Sequence, residues 1–212
     1  MVGLNDQIRE VCDRFADDGF VALGRDLYRG EVTQEPDEAA KLMMALNLER
    51  AAKDMTGAVD YLAAHEAVTS QGVGVFGFCM GGGLALRLAG GARRRCRPWP
   101  PYYGVIPWPA APPDDARPVQ GHDAELDTSA DPAAVAALEQ QLKGLGKTAE
   151  FFISPGTDHA FTNHRPEVFH AEHTDTAWQR ALAFSRENVR RGGLQPARPQ
   201  HGRRHVVAAL GE

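Results

Sequence analysis

The sequence predicts an α/β fold, a mostly parallel sheet flanked by helices, on three observations. Short apolar runs rich in valine and phenylalanine alternate with longer stretches whose apolar residues recur at helical spacing. The run Gly72-Val73-Gly74-Val75-Phe76 has no polar face, as a central strand covered on both sides requires. Immediately after it, Gly77-Phe78-Cys79-Met80-Gly81 sets a cysteine between closely spaced glycines at a strand-to-helix junction.

The elements follow in order. Asn5 is placed to cap a helix running to about residue 17, with Ile8, Val11, Cys12 and Phe15 on one stripe and Gly19 ending it. Residues 20–23 read as a strand. One or two helices span 37–66, where Ala51, Met55, Val59 and Leu62 fall at core spacing. After the strand at 72–76, residues 81–89 carry Leu84, Leu86 and Leu88 among alanine and glycine and read as a closely packed helix. Strands are expected at 118–121 and 150–154, and helices at 133–145 and 171–188.

Two segments fit this pattern poorly. Eight of the 14 prolines fall between Pro98 and Pro118, close behind Arg93-Arg94-Arg95. Proline cannot donate to a ladder, so no buried strand is expected before Tyr102. From residue 190 onward no apolar period is visible, and a disordered tail is expected over 190–212. The reading is therefore a single domain over residues 1–189, followed by that tail.

Bulk properties exclude several classes. The 212 residues suit one domain with a sizeable core, and a net charge of −5 gives no reason to expect nucleic acid or a membrane surface. No apolar run approaches the roughly 20 residues of a membrane span, and no signal peptide is visible, so a cytoplasmic location is expected. Three cysteines without Cys-x-x-Cys spacing do not suggest a disulfide framework or a zinc site. His159, His164, His170 and His173 lie near Asp158 and Asp175, but only His170 and His173 share a helical spacing. They are read as solvated helix-face residues, with no metal and no cofactor expected.

Chemistry converges on Cys79. At its reference pKa of about 8.5 a thiol is only slightly ionised at neutral pH, so a nucleophilic cysteine needs an imidazole beside it. A carboxylate on the far ring nitrogen would fix the tautomer. Asp127 lies 48 residues after Cys79 and His159 lies 32 residues beyond that, each just past a predicted strand. Loops at the carboxyl ends of parallel strands converge on one site. Glu125 and Asp123 compete with Asp127 for the acid's place and are read as loop-structuring or solvated.

The segments Gly3-Leu4-Asn5, Asp18-Gly19-Phe20-Val21-Ala22-Leu23, Asp26-Leu27-Tyr28, Gly77-Phe78-Cys79-Met80-Gly81-Gly82-Gly83, Tyr102-Tyr103-Gly104 and Pro155-Gly156-Thr157-Asp158-His159-Ala160-Phe161 carry a resemblance to the dienelactone hydrolase family of α/β-hydrolases. The resemblance covers roughly residues 3 to 185. It implies an α/β-hydrolase fold and a Cys79–Asp127–His159 triad, with the Met80 backbone N–H as an oxyanion donor. It further implies hydrolysis of a small lactone or activated ester through a thioacyl-enzyme. In the family, a strand ending in a glutamate precedes the Gly-Leu-Asn segment and supplies the second oxyanion donor. Here Met1-Val2 stand directly before Gly3, so those first strands are missing from the text. The family's substrate-binding arginine, four residues after the histidine, is matched by Asn163. Tyr103, Phe161, Asn163 and Arg165 are the substrate-contact candidates. Dienelactone itself is thus disfavoured against another small lactone or ester, acted on by a monomer or small homo-oligomer. The alternative is a non-catalytic family member or interaction protein without a complete oxyanion site.

Overall fold

A computed structural model of the protein describes residues 2–68, 72–90, 96–104, 118–190 and 205–210. Helix α1 (Asp6–Asp17) opens on Asn5, whose side-chain oxygen accepts the Ile8 N–H at 3.1 Å. Its stripe of Ile8, Val11 and Phe15 is buried. Strand β1 (Phe20–Arg25) follows directly across Gly19, which sits at φ +87°. Helices α2 (Pro36–Ala45) and α3 (Leu48–Ala64) are separate, the second capped by the Asn47 side chain. Next come β2 (Val73–Phe78), α4 (Met80–Gly90), β3 (Cys96–Tyr102), β4 (Val119–Ala124), α5 (Pro132–Gly144), β5 (Ala149–Ser154), α6 (Ala171–Arg190) and β6 (His205–Leu210).

The six strands form one sheet in the order β1-β6-β2-β3-β4-β5, and every recorded pairing is parallel. Side chains alternate across it as the strand period demands. On one face, Phe76, Phe78 and Tyr102 pack with Phe15 of α1 and with Trp178 and Leu182 of α6. On the other, Val73 and Val75 meet Met55, Val59 and Leu62 of α3 and Leu84 of α4. Farther along that face, Val119 and Ala149 meet Leu138 and Leu142 of α5. His122, wedged beneath the first face, stacks on Phe152 at 5.5 Å between centroids. Burial, with some help from Arg180, drops its pKa to about 3, so it stays neutral. Among the described residues no helix is long and apolar enough to cross a membrane.

Two expectations are corrected. The proline-rich stretch does form a strand before Tyr102. Cys96 to Pro98 pair with Val73 to Val75, then the register shifts so that Gly77 opposes Pro101 and Phe78 opposes Tyr102. Two residues of β2 thus span three of β3, and a bulge of this kind is where a sheet tolerates proline. Residues 91–95 and 105–117 lie outside the described residues. The tail is likewise not wholly without structure, since His205–Leu210 enters the sheet between β1 and β2. Its Val206-Val207-Ala208-Ala209-Leu210 run can occupy a slot flanked by β1 on one side and β2 on the other. The remainder of 191–212 lies outside the described residues.

The position of β6 makes a testable demand. Removing residues 205–212 strips a ladder from both β1 and β2, so cooperative thermal unfolding followed by circular dichroism is expected to be lost or shifted down by more than about 10 °C. An unchanged transition would show that β6 contributes nothing to the sheet.

Candidate active site

Cys79 sits where β2 ends and α4 begins, with φ +49°, a left-handed conformation that a non-glycine residue adopts only under constraint. The constraint is visible in the neighbouring backbone. The Cys79 N–H donates to the Tyr102 carbonyl at 3.0 Å, and the Gly83 N–H donates to the Cys79 carbonyl at 3.2 Å. A Cβ on Gly77 would lie 2.2 Å from the Gly81 carbonyl oxygen, and one on Gly104 would lie 2.5 Å from that of Cys79. The glycines are therefore required by close approach of three chain segments, and together they lift the thiol clear of the sheet. Met80 opens α4, so its N–H has no acceptor within that helix.

Histidine and acid are brought together. His159 Nδ1 and Asp127 Oδ2 are 2.7 Å apart, with the carboxylate fully buried and the His159 side chain 25% exposed. Asp127 is itself held by its other oxygen, which accepts the N–H groups of Ser129 and Ala130, each at 2.7 Å. Burial opposes ionisation of Asp127, yet these hydrogen bonds and His159 hold its pKa below the ordinary carboxylate value. Burial also opposes protonation of His159. It is outweighed by hydrogen bonds to Asp127 and to the Cys79 side chain and by both their charges, which lift the imidazole to about 10. The fold thus brings the side chains of Cys79, His159 and Asp127 together at the carboxyl ends of the strands.

The other candidates take distinct places. Tyr103 is buried, its ring 5.1 Å from that of His159 and its hydroxyl 2.7 Å from Thr162 Oγ1. Phe161 is fully buried and packs edge-on against Tyr103. Asn163 and Arg165 line a cavity of about 540 Å³ at the N-terminal end of α1, together with Asn5, Gln7 and Arg9. The Nδ2 atoms of Asn5 and Asn163 and the Nε of Arg165 are buried there without a hydrogen-bond partner. The Asn5 oxygen is held by the Ile8 N–H and the Asn163 oxygen by the Arg165 N–H, which fixes both amides. Among the described residues no three His, Cys, Asp or Glu side chains come together to hold a metal. His164 instead pairs with Glu10 at 3.3 Å, and the His170 and His173 rings lie 4.4 Å apart.

Glu125 does structure its loop, accepting the Gly156 N–H at 2.8 Å. Asp123 is a correction: it is neither solvated nor part of a loop, but lies in β4 at 2% exposure. Burial, then the charge of Asp127, raises its carboxyl to about 7. The signal that could have found it is strand alternation, since all six residues of β4 are buried and no polar position on it faces water.

Comparison with known proteins agrees with this geometry. The family model described as the dienelactone hydrolase family matches residues 1–188. Protein usf of Aquifex pyrophilus is 31% identical over 188 residues, covering 85% of this chain and 80% of the relative. A Bradyrhizobium protein named probable 2-oxo-3-(5-oxofuran-2-ylidene)propanoate lactonase is 30% identical over 200 residues, covering 87% and 79%. The solved structure of a dienelactone hydrolase-like promiscuous phosphotriesterase from metagenomic libraries superposes with a TM-score of 0.72 at 22% identity, covering 88% of this chain and 82% of that one, and shares the fold. With an elbow cysteine facing a carboxylate-bound histidine on an α/β-hydrolase sheet, and with these matches over most of its length, the chain belongs to the dienelactone hydrolase family.

Proposed function

We propose that the protein hydrolyses a small lactone or activated carboxylic ester through Cys79, His159 and Asp127, by way of a thioacyl-enzyme. The observation that carries this reading is the 2.7 Å contact between His159 Nδ1 and Asp127 Oδ2, with Cys79 near enough to favour the charged imidazole. The Cys79 thiolate attacks the carbonyl carbon, and the carbonyl π pair moves to oxygen, facing the Met80 N–H. Collapse expels an alkoxide or enolate that takes its proton from His159. The neutral imidazole then draws a proton from water, which attacks the thioester and releases the acid and the thiolate. Thiolate is itself a good leaving group, so the first adduct reverts unless the departing oxygen is stabilised. That favours enol-lactones and activated esters over ordinary alkyl esters. Tyr103 packs edge-on beside His159 and is backed by Phe161, while Asn163 and Arg165 meet a substrate's polar group from the α1 cavity.

Four outcomes test the reading. Hydrolysis of p-nitrophenyl acetate is expected to disappear in Cys79→Ala while the thermal transition persists; retained hydrolysis would overturn the assignment. Asp127→Asn is expected to lower kcat/KM roughly a hundred- to ten-thousandfold, because the imidazole loses its tautomer and its counter-charge. The third concerns pH. Burial, and then Asp13, push the Cys12 thiol up to about 11, so iodoacetamide at pH 7 is expected to label Cys79 at least about tenfold faster than Cys12, read by peptide mass spectrometry. His159 is raised from 6.5 to about 10 on folding, so its stabilising contribution is complete below about 6.5 and is lost as pH rises towards 10. Asp127→Asn is therefore expected to flatten the fall in melting temperature across that window.

A further inference from the structure

The cavity of about 540 Å³ at the N-terminal end of α1 has neither Cys79 nor His159 in its wall, yet the chain ties it closely to them. The Asn163 N–H donates to the Ala160 carbonyl at 2.7 Å, so a single tight turn separates this wall from His159. Asn163 is 1% exposed and Asn5 is 7% exposed, and carboxamides buried to that degree ordinarily engage both ends. Here each engages one. The Asn5 oxygen accepts the Ile8 N–H at 3.1 Å and the Asn163 oxygen accepts the Arg165 N–H at 3.2 Å. Both amide nitrogens are left without a partner, and so is Arg165 Nε in the same wall.

Unpartnered donors call for an acceptor, and the charges of the wall decide which kind. Arg9 and Arg165 stand against the carboxylates of Asp6 and Glu10. All four are already engaged: Arg9 lies 3.9 Å from Asp6, His164 lies 3.3 Å from Glu10, and Arg165 Nη1 lies 3.7 Å from Glu167. Asp6 also occupies the first turn of α1, where its charge answers the positive end of the helix dipole. Gln7 Oε1, an acceptor, is buried and unpartnered in this wall as well. A carboxylate entering the cavity would lose its water without gaining an uncommitted cation, and it would face that lone oxygen. An uncharged carbonyl is far less costly to desolvate, and the two amide nitrogens satisfy it.

We propose that this cavity selects lactones and esters that carry a second, uncharged carbonyl group remote from the bond that is cleaved, and discriminates against the corresponding free acids. The proposal rests on hydrolysis at Cys79 and gives the substrate of that reaction its class. The second carbonyl accepts from the amide nitrogens of Asn5 and Asn163, while the reacting carbonyl lies at the elbow. Where the second group is a carboxamide, its own N–H offers Gln7 Oε1 the donor it lacks. Binding of this kind uses groups that are fixed before the substrate arrives, because the oxygen of each asparagine is held by a backbone N–H.

Two p-nitrophenyl esters of the same length test this, that of adipic acid monoamide and that of adipic acid itself, which differ only in a carboxamide against a carboxylate. The amide is expected to show a kcat/KM at least about tenfold higher, carried mainly by a lower KM. In Asn163→Leu the ratio between the two substrates is expected to fall to within about threefold of one. Equal rates, a preference for the acid, or a ratio that Asn163→Leu leaves untouched would each overturn the proposal. Adipamide and adipate, which contain no ester, supply a readout that does not need turnover. Adipamide is expected to raise the melting temperature of the unaltered protein at concentrations where adipate does not, and an equal or larger rise with adipate would overturn the proposal. If neither ester is cleaved, the hydrolase reading fails, and the adipamide and adipate shifts still decide separately which group the cavity takes.

Discussion

The strained backbone at Cys79 is the constraint on which the rest of the molecule depends. A left-handed cysteine persists only where its surroundings allow no alternative, and here the alternatives are blocked from three directions. Gly77 lets the first turn of α4 fold back against β2, Gly104 lets the segment after β3 pass under the cysteine carbonyl, and the Tyr102 carbonyl takes the Cys79 N–H. Each contact joins β2 to a different part of the chain. The elbow is therefore a joint product of β2, β3 and α4, and whatever holds β3 in the sheet also holds the thiol. That gives the bulged, proline-bearing strand a mechanical part in the site.

The same sheet explains the unequal treatment of the acidic groups. Asp127 and Asp123 are only four residues apart, yet burial affects them oppositely in outcome. Asp127 lies beyond the strand, where two backbone N–H groups and the His159 ring outweigh desolvation and keep it ionised. Asp123 lies within the strand, its ladder groups are engaged with β5, and one of its carboxylate oxygens has no donor. It is the nearer approach to a neutral acid at physiological pH, and the charge on Asp127 reinforces that. Asp127, the more readily ionised of the two, is the one hydrogen-bonded to His159.

Much of this was legible in the residues. Glycine at 77 and 81 around a cysteine, a valine-rich strand before it and leucines after it specify the elbow without any structure. The spacings from Cys79 to Asp127 and from Asp127 to His159 match segments that leave β2, β4 and β5 at their carboxyl ends. Other features were hidden for physical reasons. A five-residue apolar run such as Val206 to Leu210 has no period that distinguishes a central strand from a chance cluster, and its arginine- and proline-rich neighbours argue for a solvated segment. Only the gap between β1 and β2 makes it a strand, and such a gap is a property of the whole sheet. Pro98 and Pro101 misled for a related reason. The rule that excludes proline from ladders holds for regular pairing, and nothing local announces a bulge.

The cysteine, finally, limits what chemistry this architecture can favour. In a serine triad the oxygen nucleophile becomes a poor leaving group once acylated, so the first step is effectively committed. A thiolate stabilised by an imidazolium is easy to expel again, and the stronger the stabilisation of that pair, the more readily the tetrahedral adduct collapses backwards. His159 is strongly biased towards imidazolium here, because both Asp127 and Cys79 favour its charge. Forward progress must then come from two sources: a departing oxygen that carries charge well, and an oxyanion site that holds the adduct long enough for a proton to pass from His159. Substrate class and oxyanion donors are thus coupled demands. A weaker oxyanion site narrows the proposed reaction to lactones and esters whose leaving groups are enolates or similarly stabilised anions, while a complete one extends it towards less activated bonds.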